Sequence, residues 1–118
     1  MKNRPFRERT VFALHGVRAA WQRERSFRTQ TALAAAAVIV LIVLRPAPIW
    51  WAVIVLTNSI VLATELMNSA LEALVDQLHP EQHPEIRIIK DMAAGGVLLV
   101  STAALIVGAL MLFVTLSP

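Results

Sequence analysis

The chain has 118 residues, of which 57% are hydrophobic and 16% charged, with a net charge of +3 and no cysteine; an ordinary soluble domain carries roughly 25% charged residues. A chain this apolar is not disordered, and one this short cannot hide so much apolar surface in a single water-soluble core, because small domains bury only about two-thirds of their unfolded surface. Without cysteine there is no disulfide framework, zinc–thiolate site or thiol nucleophile, and the apolar excess must go into lipid, into copies of the chain, or both.

Residues 1–28 hold eight of the 11 basic residues, Lys2, Arg4, Arg7, Arg9, Arg18, Arg23, Arg25 and Arg28, opposed only by Glu8 and Glu24. Phe6, Thr10, Leu14, Val17 and Trp21 recur at helical spacing, which predicts an amphipathic helix over 1–28 lying in a membrane interface. Gly16 inside it marks a close contact or a kink. Residues 31–44 carry no charge. Phe27, Thr29 and Gln30 extend that run by a turn while Arg28 snorkels, giving a first transmembrane helix over 29–45. Arg45-Pro46-Ala47-Pro48 then punctuates the chain, since each proline removes an amide donor and disfavours helix just before it. A second apolar run, 49–63, continues in helical pattern through 78, so the second transmembrane helix is predicted over 48–78. Trp50 and Trp51 read as an interfacial aromatic belt. A loop over 79–91 precedes the uncharged run 92–116, predicted as a third transmembrane helix over 91–116, where Gly95-Gly96 reads as a close-packing site.

The expected fold is therefore one all-α membrane domain over 1–118, a surface helix followed by three transmembrane helices. The first apolar run begins late and lacks a small-residue cleavage site, which argues against a removable signal peptide. Lys/Arg bias places the N-terminus and the 79–91 loop in the cytoplasm. The isoelectric point of about 10.6 is explained by basic residues anchored on anionic headgroups, so no nucleic-acid partner is expected.

The informative stretch is ATELMNSALEALVD. Glu65, Asn68, Glu72 and Asp76 are spaced 3, 4 and 4, which puts them within an arc of about 80° on a helix. Asn58 projects onto the same arc. With the helix starting near Ile49, Glu65 lies about 24 Å along it, just inside a hydrocarbon core about 30 Å thick. A carboxylate at that depth is costly and marks function. Asp76 can equally be the solvated end of a long helix, and Asn68 and Ser69 can serve as hydrogen-bonding glue to a neighbouring helix. Carboxylates at an interface hold Mg²⁺, usually one or two of them together with substrate phosphates. One more, partly desolvated, can take a proton from an alcohol. Lys90 and the basic N-terminal segment can offset phosphate charge. The inventory suits phosphoryl transfer from a soluble nucleotide to a membrane alcohol, though without a Walker loop or glycine-rich phosphate cradle.

These residues carry a resemblance to the small prokaryotic integral-membrane lipid kinases, the diacylglycerol kinase and undecaprenol kinase family. The stretches that carry it are E-x-x-x-R at Glu24 and Arg28, E-L-x-N-S-A-x-E-A-x-V-D from Glu65 to Asp76, and K-D-x-x-x-G/A from Lys90. The resemblance implies a homotrimer in the bacterial cytoplasmic membrane, using ATP as co-substrate and Mg²⁺ as cofactor, with membrane lipids around it and a lipid alcohol as acceptor. It implies Glu65 as catalytic base with Asn68 beside it, and Glu24 and Glu72 as metal carboxylates. It places Glu24, Glu72, Asp76, Glu81, His83, Lys90 and Asp91 at the nucleotide. Glu65, Arg28 and Ser69 form the expected acceptor-binding set, with a structural role open for Arg28. On the residues alone, Glu24 can pair with Arg28 at i,i+4, Lys90 with Asp91 at a helix start, and His83 can be a solvated loop histidine.

Diacylglycerol is the expected acceptor and undecaprenol the alternative, with the same chemistry. The F-R-x-Q neighbourhood of Arg28 leans to the first. The H-P-E-Q-H-P loop resembles the second, and position 30 is Gln where relatives of the first kind tend to have Glu and of the second His. A small cation-coupled transporter would show four spans and few charges at the cytosolic side; a non-catalytic adaptor would need no aligned acidic face.

Overall fold

A computed structural model describes residues 2–118, and among them every regular element is helical: α1 (Phe6–Arg23), α2 (Arg25–Leu44), α3 (Pro48–Leu78) and α4 (Pro84–Leu116). The last three are long and apolar enough to cross a membrane. At 1.5 Å per residue α3 reaches about 46 Å and α4 about 50 Å, well beyond a hydrocarbon core of roughly 30 Å. Both therefore have turns to spare beyond such a span, and Asp76 of α3 and Arg87, Lys90 and Asp91 of α4 sit on end turns of their helices.

The junctions follow from local chemistry. Glu24 alone separates α1 from α2, in an extended conformation (φ −110°, ψ 108°). The segment expected as one surface helix over 1–28 thus breaks at Glu24, and α2 starts at Arg25 instead of 29. Arg45 ends α2 in the left-handed region (φ 49°), its N–H bonded to the Leu41 carbonyl at 2.9 Å. Pro46 ends the helix here, since the residue before a proline is pushed out of the right-handed helical region; the left-handed turn at Arg45 closes the last helical carbonyl through its N–H. Pro48 and Pro84 open α3 and α4 at their first turns, where a missing N–H costs nothing.

The loop expected over 79–91 is shorter than its charge suggested. His83 caps α4, its Nδ1 accepting from the Glu85 N–H at 3.1 Å, and Glu85 stands in the first turn, where negative charge suits the helix dipole. Residues 84–91 are therefore helical, and Lys90 and Asp91 ride on α4 rather than on a loop.

The buried core lies toward the 45–47 turn. Leu41, Ile54 and Met111 are enclosed, with Ala37, Trp50, Trp51 and Val107 packed against them. The two tryptophans, expected to face headgroups as a belt, are half-buried on this cluster. A Cβ on Gly16, Gly95 or Gly96 would meet nothing within 4 Å, so the close contacts expected at these glycines are not made within the chain. Phe6, Leu14, Val17 and Trp21 are all exposed along α1, an apolar row that the protomer leaves uncovered.

Candidate active site

Burial changes steadily along the acidic row of α3. Glu65 is 3% exposed and Ser69 8%, while Asn68 and Glu72 are half-buried and Asp76 is open to solvent. One helix face thus runs from a buried carboxylate to a solvated one. Asn68 Oδ1 is buried with no hydrogen-bond partner among the described residues. A buried acceptor left unpaired costs about 1–3 kcal/mol, so the site as it stands is incomplete without a further donor.

At the solvent end of that row the turn between α3 and α4 makes a recess. Asp76, Glu81, His83, Arg87 and Lys90 line a cavity of about 460 Å³. Lys90 Nζ donates to Asp76 Oδ1 at 2.6 Å across the two helices, whereas Asp91 pairs with Arg87 at 3.2 Å along α4. The helix-start pairing of Lys90 with Asp91 is not the one made. Both observed pairs are largely exposed, and exposed pairs contribute at most about 1 kcal/mol. Their significance lies in holding charged groups at one opening. The cavity gathers four of the residues expected at a nucleotide, Asp76, Glu81, His83 and Lys90. Glu24, Glu72 and Asp91, expected there too, stand outside it. Arg87, which also lines it, carried no sequence signal beyond its own charge.

Arg28 does something the sequence left open. Its Nη1 donates to the carbonyl oxygen of Trp21 at 2.6 Å and to that of Gln22 at 3.5 Å. Those carbonyls belong to the last turn of α1, which has no helical partner for them, and a cation there also suits the dipole. The guanidinium therefore fastens the end of α1 to the first turn of α2. It does not pair with Glu24, which sits half-buried at the elbow between the helices. Phe27 and Ala20, both buried, flank the same joint.

Among the described residues no three His, Asp or Glu side chains converge as a metal cage. The carboxylates expected at a metal come from two places, Glu24 from the α1–α2 elbow and Glu72 from α3. Mg²⁺ seldom needs a protein cage: it takes one or two carboxylates, keeps water, and completes its shell with substrate phosphate. Two half-buried carboxylates with solvent access fit that donor chemistry.

A second cavity, about 600 Å³, opens between α2, α3 and α4, lined on α3 by residues between Glu65 and the 45–47 turn. Its walls are mostly apolar, but Gln30, Asn58 and Ser101 line it as well. Asn58 Nδ2 donates to the Ala34 carbonyl at 3.4 Å, and Gln30 Nε2 to Ser101 Oγ at 3.3 Å. Ser101 gave no warning, being one hydroxyl in a long uncharged run. Only the packing of α4 against α2 brings it to Gln30.

A model of the prokaryotic diacylglycerol kinase family matches residues 11–112. The chain is 39% identical over 102 residues to a diacylglycerol kinase of Synechocystis, an alignment spanning 86% of this chain but 58% of that relative. It is 30% identical over 102 residues to the diacylglycerol kinase of Escherichia coli, spanning 86% and 84% of the two chains. It is 32% identical over 100 residues to the undecaprenol kinase of Bacillus subtilis, spanning 82% and 81%.

Proposed function

The chain belongs to the prokaryotic diacylglycerol kinase family, and from that premise we propose that it is a membrane lipid kinase that transfers the γ-phosphoryl group of ATP to the hydroxyl of diacylglycerol, releasing ADP and phosphatidic acid. The observation that carries this reading is the graded acidic face of α3. A carboxylate at 3% exposure lies on the same helix that ends at a charged recess, which supports an acceptor site and a nucleotide site joined along α3.

In this reading Glu65 takes the proton from the lipid hydroxyl. The oxygen so freed attacks the γ-phosphorus in line with the leaving β–γ bridging oxygen. Phosphoryl transfer of this kind is mostly positioning and electrostatic stabilisation. Burial serves it by fixing the carboxylate on a rigid helix and excluding bulk water. Asn68, one turn along, has its buried acceptor unspent and its amide hydrogens available for the transferring phosphoryl. Glu24 and Glu72 would hold Mg²⁺, which would supply positive charge against the phosphates. Asp76, Glu81, His83, Lys90 and Asp91 bind the nucleotide, with Lys90 released from Asp76 toward the phosphates. Ser69 lies with Glu65 at the acceptor.

The same reading puts the protein in the bacterial cytoplasmic membrane as a homotrimer, N-terminus and 79–83 loop in the cytoplasm, with the exposed apolar row of α1 in the interface. Undecaprenol remains a second acceptor reading, favoured by the likeness to the Bacillus enzyme. The test is ATP consumption by purified protein in mixed micelles with each alcohol. Product formed from diacylglycerol and not from undecaprenol is expected; the reverse preference reassigns the acceptor, and no turnover with either removes the enzyme reading.

A further inference from the structure

We propose that the cavity between α2, α3 and α4 seats the ester region of a glycerolipid, and that Asn58 and Ser101 select the acceptor by donating hydrogen bonds to its ester carbonyls. The proposal rests on the lipid-kinase reading above and names the feature of the lipid that the protein recognises.

The argument is one of donors. A primary amide carries two N–H groups and a serine hydroxyl one O–H. Asn58 spends one N–H on the Ala34 carbonyl. Gln30 spends one on Ser101 Oγ, which leaves the Ser101 hydroxyl hydrogen free to turn outward. Among the described residues no acceptor takes the remaining hydrogens. All three side chains line the cavity, whose other walls include Leu33, Val61 and Leu105. Within hydrocarbon an unspent donor has no water to turn to and is costly. A ligand that takes up these donors offers acceptors within an otherwise apolar body. An ester carbonyl is such an acceptor. A polyprenol has a single hydroxyl and nothing else polar, so once the hydroxyl is at Glu65 these donors stay unpaired.

The register agrees. Asn58 precedes Glu65 by two turns, about 10 Å along α3, on the same arc. A hydrogen bond of about 2.8 Å at each end and the glycerol atoms between hydroxyl and ester carbonyl cover a similar distance. The hydroxyl can therefore be at the base while an ester carbonyl reaches Asn58 or Ser101, and the acyl chains continue along the apolar walls toward the Leu41 cluster.

The experiment compares three acceptors with the full-length protein in one micelle system: dioleoylglycerol, the matching dialkyl-ether glycerol, and undecaprenol. The ether lipid keeps the hydroxyl and the chains and lacks only the carbonyls. The ether KM is expected about 10-fold above the ester KM, the worth of roughly one such hydrogen bond. Ser101→Ala and Asn58→Leu should each raise the ester KM toward the ether value while moving the ether KM little. Two variants are needed because each also removes a different bond to α2, Asn58→Leu that to the Ala34 carbonyl and Ser101→Ala that from Gln30. Equal KM values for ester and ether lipid in the wild type overturn the proposal. So does an ester advantage that survives in both variants, which assigns the polar cluster to helix packing alone. Wild-type protein that phosphorylates none of the three removes the kinase reading and this one with it, an outcome told apart from the others by the missing turnover on the ether lipid.

Discussion

The two ends of α3 are built on opposite terms. At the 45–47 turn, Ile54 meets Leu41 and Met111 in a cluster that leaves Leu41 no exposed surface, and Pro46 and Pro48 fix the entry of the chain. Toward the 79–83 loop the same helix carries Glu65, Asn68, Glu72 and Asp76, the last of them lining a recess, with an orphaned amide oxygen and an ion pair to Lys90. Packing at the first end is complete; at the second, polar atoms wait for partners that the single chain does not supply. Stability and chemistry are thereby separated along one rigid rod, so substitutions at the two ends should fail in different ways.

The largest expected effect tests that separation directly. Glu65→Gln keeps volume and hydrogen-bonding capacity but cannot take a proton, and removal of a general base costs about 10²–10⁴ in rate. Turnover should fall on that scale while melting temperature and oligomeric state stay within those of the wild type. Rates within threefold of wild type would strip Glu65 of the role of base. Leu41→Ala is the counterpart. Emptying a fully buried leucine site costs about 2–5 kcal/mol, so thermal unfolding should move down by many degrees, while KM for ATP, read below the transition, stays put. A change in KM without a change in melting would break the division between the two ends.

Smaller effects are expected at the joint between them. Arg28→Met removes a charge-assisted bond to the end of α1 worth roughly 1.5–3 kcal/mol. Hydrogen exchange at residues 20–28 should rise while exchange in α3 does not. Arg28→Lys should restore only part of the protection, since an ammonium lacks the planar fork. Glu72→Gln should raise the Mg²⁺ concentration for half-maximal rate about 10-fold or more, since even indirect metal partners are worth 10–100-fold in affinity. A metal titration superimposable on wild type would take Glu72 out of the metal site.

How far the sequence reached differs between the same two regions. The acidic face of α3 was readable because a 3-4-4 spacing on an apolar background has one geometric meaning, whereas the burial of Glu65 comes from the packing of the chain around α3. The three apolar helices were readable from uncharged runs and from the prolines between them. The α1–α2 elbow was not, because it depends on a single extended residue, Glu24, and on a side chain reaching back to backbone carbonyls. The start of α4 was missed for a similar reason: Arg87 and Lys90 look like loop residues until Pro84 and the His83 cap are seen to begin the helix before them. Gln30 and Ser101 meet only through tertiary packing, so no local pattern could pair them. What periodicity encodes was legible, and what side-chain-to-backbone bonds and interhelical contacts encode was not.

The smallest expected effect lies at the turn opposite the site. Arg45 holds a left-handed backbone conformation (φ 49°) that costs an L-residue about 1–2 kcal/mol and glycine nothing. Arg45→Gly removes that cost, but it also loosens the unfolded chain and gives up a side chain able to snorkel into headgroups. The opposing terms leave a net stabilisation of about 0.5 kcal/mol, a rise of a degree or two in melting temperature for a domain of this size. Turnover should be unchanged, because the turn touches only the packed end. A loss of activity in Arg45→Gly would mean that the two ends of α3 communicate, and that the backbone at Arg45 is held in its costly conformation for a reason that packing does not explain.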